Sequence, residues 1–153
     1  MWFAIAAILM LFVGLTSAYV VRRGLDPNWT SIPIPGVAFA NAALLLASSF
    51  TLEVGRRSPA ARRWLVATWI LGLAFAAGQL TLWRQLAEEG LHLNTSAHAS
   101  FIYLLTALHG LHLLGGMIVV SWQSRVDLAV IAIYWHFLGG LWIYLLVVLF
   151  AWS

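Results

Sequence analysis

Three histidines lie inside apolar stretches of the sequence, where ionisable side chains are costly and invite a functional explanation. His109 and His112 are three residues apart, which places both on one face of a helix, and His136 lies in the next apolar stretch. Imidazole suits iron, copper and zinc, so three such rings facing one another could hold a haem or a metal ion. Neutral imidazoles could instead form hydrogen bonds between helices or with lipid headgroups. We favour this second interpretation, because no carboxylate or fourth histidine accompanies the three in their apolar stretches.

Other polar side chains at or near membrane depth have plainer explanations. Asn41, Gln79 and Thr106 fall inside apolar stretches and are typical partners in hydrogen bonds between helices. Glu53 lies near the end of an apolar stretch, beside a pair of arginines. None of these residues forms a recognisable catalytic constellation with the histidines.

Acidic and imidazole side chains also gather in the loop predicted at 84–100. Glu88, Glu89, His92 and His98 lie within it. Such a cluster is typical of a solvated surface, although the same residue types could bind zinc. We expect these side chains to be exposed to water.

The composition predicts that the bilayer, not water, is the main solvent of this chain. Hydrophobic residues make up 63% of it and charged residues only 8%, whereas a soluble domain has roughly a quarter charged residues. The absence of cysteine excludes disulfides, iron–sulfur clusters and a thiolate-bridged copper centre. The net charge of +3 comes from arginines spread over several helix ends, which argues against a nucleic-acid partner.

Five apolar runs are each long enough to cross a bilayer as a helix, which takes about 20 residues. They cover residues 1–21, 37–54, 64–83, 101–122 and 128–152. No run alternates in polarity with a period of two, so a barrel of strands is not indicated. The sequence predicts an all-α integral membrane protein, with residues 1–153 forming a single transmembrane helical domain. A secretory signal at 1–21 is the alternative for the first run, but that segment has no basic start.

The distribution of arginines predicts the orientation in the membrane. Five of them fall on the side of the N-terminus, and three fall on the opposite side. The first group is Arg56, Arg57, Arg62, Arg63 and Arg125, and the second is Arg22, Arg23 and Arg84. Because basic loops tend to stay in the cytoplasm, we expect a cytoplasmic N-terminus and a C-terminus outside, in a bacterial inner membrane.

The segments that contain the three histidines also resemble a known family. They are LTALHGLH at 105–112, the glycine pair at 115–116, and YWHF at 134–137 followed by Trp142. The dipeptide Ala-Asn at 40–41, followed by a leucine-rich stretch, matches the pattern of a preceding helix. Together these features resemble subunit III of the haem-copper terminal oxidases, over the full length of the chain.

The resemblance implies a fold and a function. Members of the family commonly have seven helices, of which this chain is similar to the last five. The family subunit binds neither haem nor copper, which belong to its partner subunits. It packs against catalytic subunit I, holds structural phospholipids, and supports proton uptake and stability during oxygen reduction. The electron donor, cytochrome c or quinol, binds to other subunits. Five residues match as structural or lipid-contact positions: Asn41, His109, His112, Trp135 and His136.

The chain departs from the family pattern at three positions that usually carry acidic side chains. Ile8, Gly36 and Gly139 occupy them here. We therefore expect any lipid or proton-antenna role of those acids to be altered. Two other classes of function compete with the accessory subunit. One is a small membrane redox protein that uses the three histidines as ligands, and the other is a transporter, for which intramembrane charges or inverted repeats would be expected.

Overall fold

A computed structural model of the protein describes residues 2–27, 29, 31–122 and 127–152, of which Trp152 is described by its backbone alone. Within these residues the chain forms five α-helices and no strand: α1 (Trp2–Leu25), α2 (Val37–Arg57), α3 (Ala61–Glu88), α4 (Ala97–Ser121) and α5 (Leu128–Trp152). Each of these helices is long and apolar enough to cross a membrane. The predicted all-α transmembrane fold is therefore confirmed. Met1 and Arg125, which the predicted spans and charge balance included, lie outside the described residues.

Several helices extend beyond the predicted apolar spans. The first helix continues through Arg22 and Arg23 to Leu25, and α3 continues through Arg84 to Glu88. An apolar span measures only the part of a helix that lies in hydrocarbon, whereas the backbone remains helical into the headgroup region until a stop signal occurs. The residues at these ends, which were predicted to be in loops, are therefore helical.

Local capping sets the boundary between α3 and α4. Gly90 has φ 78°, a left-handed conformation that glycine adopts without steric cost. The N–H group of Leu91 donates to the carbonyl of Leu86 at 2.9 Å, which closes the end of α3. At the start of α4, the side chain of Ser96 accepts a hydrogen bond from the N–H group of Ala99. These two caps separate α3 and α4 with a short connection.

The bundle exposes apolar side chains to its surroundings and buries aromatic ones between its helices. Phe3 and Met10 on α1 are 93% and 73% exposed, as expected for residues that face lipid. Phe12, Phe75 and Trp135, from three different helices, are fully buried. The hairpin of α2 and α3 is the closest helix pair, and α5 packs against α1, α2 and α4. This arrangement buries Asn41 of α2, Gln79 of α3 and His109 of α4 in the interior of the bundle.

Candidate functional site

His109 is completely buried in an aromatic environment at the middle of α4. Its ring lies 5.6 Å from the ring of Phe75 on α3 and 5.0 Å from that of Trp142 on α5, measured between centroids. Neither ring nitrogen has a hydrogen-bond partner in the part of the chain that the structure describes. The side chain therefore fills space between three helices as an aromatic group.

His112 faces a different neighbour, although it lies less than one turn away on the same helix. Its Nδ1 donates to the backbone carbonyl of Leu108 at 2.7 Å, which requires the proton to be on that nitrogen. The ring packs edge-on against Phe12 of α1, at 5.8 Å. The backbone carbonyl of His112 also accepts a hydrogen bond from the hydroxyl of Tyr134 on α5, at 3.2 Å. His112 thus connects α4 to α1 and α5.

His136 is 45% exposed at the surface of the bundle, where a charged cluster surrounds it. Its Nε2 lies 4.0 Å from Oε2 of Glu53 on α2. Glu53 also accepts hydrogen bonds from the Nε groups of Arg56 and Arg57, at 2.9 and 2.6 Å. The cluster therefore joins the last two turns of α2 to one side chain of α5, at the edge of the membrane-spanning region.

The three histidines do not meet. His109 faces α3 and α5, His112 faces α1, and His136 faces Glu53 of α2. In the ranges that the structure describes, no group of three or more histidine, aspartate or glutamate residues is placed to share a metal ion. The hypothesis that the three imidazoles form one ligand set therefore has no geometric support here.

Trp135 ties α5 to α2 in the core. Its Nε1 donates to Oγ of Ser48 at 2.9 Å, and the side chain is only 1% exposed. The ring also packs against α3 and α4, since a methyl group added at Gly72 or Gly116 would be in van der Waals contact with ring carbons of Trp135, at 3.5 or 3.4 Å. Glycines of α3 and α4 thus line the space that the indole occupies.

Asn41 is buried in the seam between α2 and α3. A Cβ atom at Gly78 would overlap Oδ1 of Asn41, so the amide rests directly against the glycine backbone. Asn41 is 1% exposed, and its Nδ2 has no hydrogen-bond partner among the described residues. This contact explains why a glycine is needed at position 78.

Gln79 lies close to the level of His109, on the facing helix. The antiparallel helices α3 and α4 are aligned by the contact of Gly72 with Met117 and by a 3.1 Å hydrogen bond from Nε1 of Trp83 to Oγ1 of Thr106. This alignment places Gln79 level with the residue that follows His109. Both amide atoms of Gln79 are buried without a partner in the described part of the chain. Asn41, Gln79 and His109 therefore form a layer of buried polar side chains on three neighbouring helices.

The loop residue His98 is buried, contrary to the prediction that it belongs to a solvated cluster. It is 1% exposed, and its Nε2 lies 3.1 Å from the hydroxyl of Tyr19 on α1. The ring of Trp29 stacks on it, with a centroid distance of 4.7 Å. Position 98 is in the first turn of α4 rather than in a loop, and Trp29, between α1 and α2, covers its ring. Sequence reasoning missed this contact because it joins residues 79 positions apart.

The chain is similar to several bacterial proteins, although no family model matches it. It is 33% identical over 157 residues to a probable cytochrome c oxidase subunit 3 of Nocardia farcinica, covering 88% of this chain and 77% of that protein. It is 34% identical over 164 residues to a probable cytochrome c oxidase subunit 3 of Mycobacterium tuberculosis, covering 93% of this chain and 81% of that protein. It is 30% identical over 166 residues to the cytochrome c oxidase subunit 3 of a Synechocystis strain, covering 92% of this chain and 69% of that protein. The chain belongs to the cytochrome c oxidase subunit 3 family.

Membership of the cytochrome c oxidase subunit 3 family confirms the resemblance found in the sequence. In this member of the family, Gly139 lies against α2, where an added Cβ would be 3.5 Å from Oγ of Ser49. The acidic side chain close to His136 comes from α2 as Glu53. The local chemistry around His136 thus includes a carboxylate even though position 139 has none.

Proposed function

We propose that this chain is the non-catalytic subunit 3 of a haem-copper terminal oxidase in aerobic respiration. It packs against catalytic subunit I, holds structural phospholipids, and supports proton uptake and stability while the complex reduces oxygen. The observation that carries this proposal is the sequence similarity, which spans about nine-tenths of the chain in proteins named cytochrome c oxidase subunit 3. On this proposal, haem and copper are bound by the partner subunits.

The geometry of the histidines supports an accessory role. His109 is enclosed by Phe75 and Trp142, and His112 donates to a carbonyl of its own helix. Both rings are thus occupied in packing between helices. We assign Asn41, His109, His112 and Trp135 to holding the bundle together, because each contacts a neighbouring helix.

The charged cluster around His136 supports a contact with lipid headgroups. His136 is 45% exposed beside Glu53, and two arginines of the last turn of α2 complete the cluster. Charged side chains at the end of a membrane-spanning helix are suited to the headgroup region. The arginines at this end also favour a cytoplasmic location for it, with the N-terminus on the same side, in a bacterial inner membrane. The whole of residues 1–153 acts as one transmembrane domain in this proposal.

Removal of the chain from an otherwise intact oxidase tests the proposed role. We expect the complex without it to keep its reduced-minus-oxidised haem spectrum and its initial rate of oxygen reduction. The activity should then decay faster during continuous turnover, because lipid and proton supply are no longer supported. Loss of a haem signal from a complex whose other subunits are all present would contradict a non-catalytic role.

A further inference from the structure

Two grooves follow the seam between α3 and α4. The outer groove has a volume of about 220 Å³ and lies at the start of α3, where Arg62, Val66 and Trp69 face Val120 and Ser121 of α4. The inner groove has a volume of about 300 Å³ and lies deeper, between Phe75, Gln79 and Trp83 of α3 and residues 107–114 of α4. We call the two together the α3–α4 furrow.

The furrow is open to the surrounding membrane along its length. Val66, Trp69, Leu73 and Leu80 recur at helical spacing on α3 and are 53%, 38%, 44% and 53% exposed. On the facing helix, Leu111, Leu114 and Ile118 are 63%, 47% and 56% exposed. Leu73 and Ile118 lie between the levels of the two grooves, so the exposed surface from one groove to the other is apolar.

The furrow has one charged end and one closed end. On α3 its lining runs from Arg62 to Trp83. At Trp83 the seam is closed by the hydrogen bond from Trp83 to Thr106 and by the hydroxyl of Tyr103, which donates to the carbonyl of Trp83 at 3.2 Å. A phospholipid has the same order of groups, a charged head followed by apolar chains.

Two arginines with no acidic partner lie at the mouth of the furrow. Arg62 and Arg63 border a further open groove with Val66, and neither forms an ion pair with any residue in the described ranges. The neighbouring Arg56 and Arg57 are bound to Glu53. One pair of arginines in this connection therefore shares the single carboxylate of Glu53, and the other pair remains able to bind an anion.

We propose that the α3–α4 furrow binds one anionic phospholipid. Its phosphate lies at Arg62 and Arg63, and one acyl chain follows the furrow past Trp69 towards Gln79. Basic pockets between transmembrane helices on the cytoplasmic side are suited to anionic headgroups. The proposal rests on the lipid-holding role proposed above and assigns to it a site and a headgroup charge.

Native mass spectrometry of the purified oxidase that contains this chain tests the site. The complex is placed in nanodiscs of phosphatidylcholine with a small fraction of phosphatidylglycerol, and the lipids that it retains after release are identified. The wild-type complex should retain phosphatidylglycerol in clear excess over its fraction in the nanodisc. Replacement of both arginines, Arg62→Gln and Arg63→Gln, should lower that retention about 30-fold, since each basic residue near a membrane surface contributes about fivefold.

Two matched controls separate the site from general effects. Arg84→Gln removes a positive charge from the opposite end of α3, beyond the point where the seam is closed, so retention should stay at the wild-type level. Gly110→Leu fills the inner groove without touching an arginine and should also release the lipid. Gly115→Leu adds the same side chain in open space outside the furrow and should leave the lipid bound.

Equal retention of phosphatidylglycerol and phosphatidylcholine by the wild-type complex would overturn the proposal, whatever the behaviour of the variants. Wild-type retention in the Arg62→Gln, Arg63→Gln complex would also overturn it. In either case, copurification of the chain with haem-bearing subunits would leave the proposed function intact. Failure of the wild-type chain to copurify with such subunits would count against the proposed function itself.

Discussion

The seam between α2 and α3 is closed, whereas the seam between α3 and α4 opens into a furrow. In the first seam, Asn41 lies against the backbone of Gly78, and the hydroxyls of Thr51 and Thr68 are 2.9 Å apart. In the second, Gly72 approaches Met117, but the residues on either side leave grooves of about 220 and 300 Å³. Both seams are lined mainly by apolar residues, so hydrophobicity does not distinguish them.

The difference shows what decides helix packing in a membrane. Lipid tails are as apolar as leucine, so helices associate through close packing and hydrogen bonds between small or polar residues. Small residues at the contact points of α2 and α3, including Gly55 and Gly78, allow the backbones to approach. Along α3 and α4, the large side chains of Trp69 and Leu114 line the two grooves and remain exposed, so space for a lipid is left beside them.

The largest expected effect is that of Gly78→Ala, which opens the closed seam. The added Cβ would overlap the buried amide of Asn41, so the side chain or one of the helices must move. We expect the free energy of unfolding to fall by about 3 kcal/mol. Gly115→Ala is the control, because nothing lies within 4 Å of its added Cβ, and it should raise stability by up to about 1 kcal/mol through helix propensity. Titration of both variants with a denaturing detergent, followed by circular dichroism, measures the difference, and equal stabilities would contradict the packing described for this seam.

A smaller effect is expected from Ser48→Ala, which breaks the link between α2 and α5. The variant leaves Nε1 of Trp135 buried without its 2.9 Å acceptor, and this should cost about 1–3 kcal/mol. Ser49→Ala removes the same group from the neighbouring residue and should change stability by less than about 0.5 kcal/mol. Detergent unfolding with tryptophan fluorescence compares the two, and a larger loss for Ser49→Ala would show that the hydrogen bond is not the main contact.

His109→Phe should leave the free energy of unfolding nearly unchanged, in contrast to Gly78→Ala in the closed seam. The ring already packs between Phe75 and Trp142, and its nitrogens have no partner among the described residues. Replacement by an apolar ring of similar shape should change the unfolding free energy by less than about 1 kcal/mol. The reduced-minus-oxidised spectrum of the assembled complex should not change. A loss of haem absorbance in the variant complex would reassign His109 as a functional ligand.

The smallest effect on stability is expected from His136→Ala. The side chain is largely exposed and lies 4.0 Å from Glu53, an arrangement that contributes little to folding. We expect weaker retention of lipid or looser assembly, measured by native mass spectrometry, with unchanged haem spectra. Retention and assembly identical to wild type would remove His136 from the proposed lipid contacts.

The sequence predicted the helices well because bilayer thickness sets a minimum length for an apolar run. The ends of the helices were less predictable, since they depend on caps such as Gly90 and Ser96 rather than on hydrophobicity. The start of α3 illustrates this point. The helix begins at Ala61, before the apolar span that starts at residue 64, because Arg62 and Arg63 are compatible with a helix but not with hydrocarbon.

The sequence selected candidate residues but did not predict their arrangement. The spacing of His109 and His112 does place both on one side of α4. That side is nevertheless wide enough for His109 to face α3 and α5 while His112 faces α1. The approach of Glu53 to His136 and of Tyr19 to His98 joins distant parts of the chain. Periodicity within a single helix carries no information about such pairs, because they depend on how the helices are arranged around one another.

Affinity purification through this chain in a mild detergent tests most directly whether it is an accessory oxidase subunit. Mass spectrometry identifies the proteins that copurify, and a reduced-minus-oxidised optical spectrum detects haem in the same sample. We predict recovery of a larger membrane subunit together with its haem absorbance. Recovery of this chain alone with a haem spectrum of its own would contradict the account and would favour a redox protein that uses its own histidines as ligands.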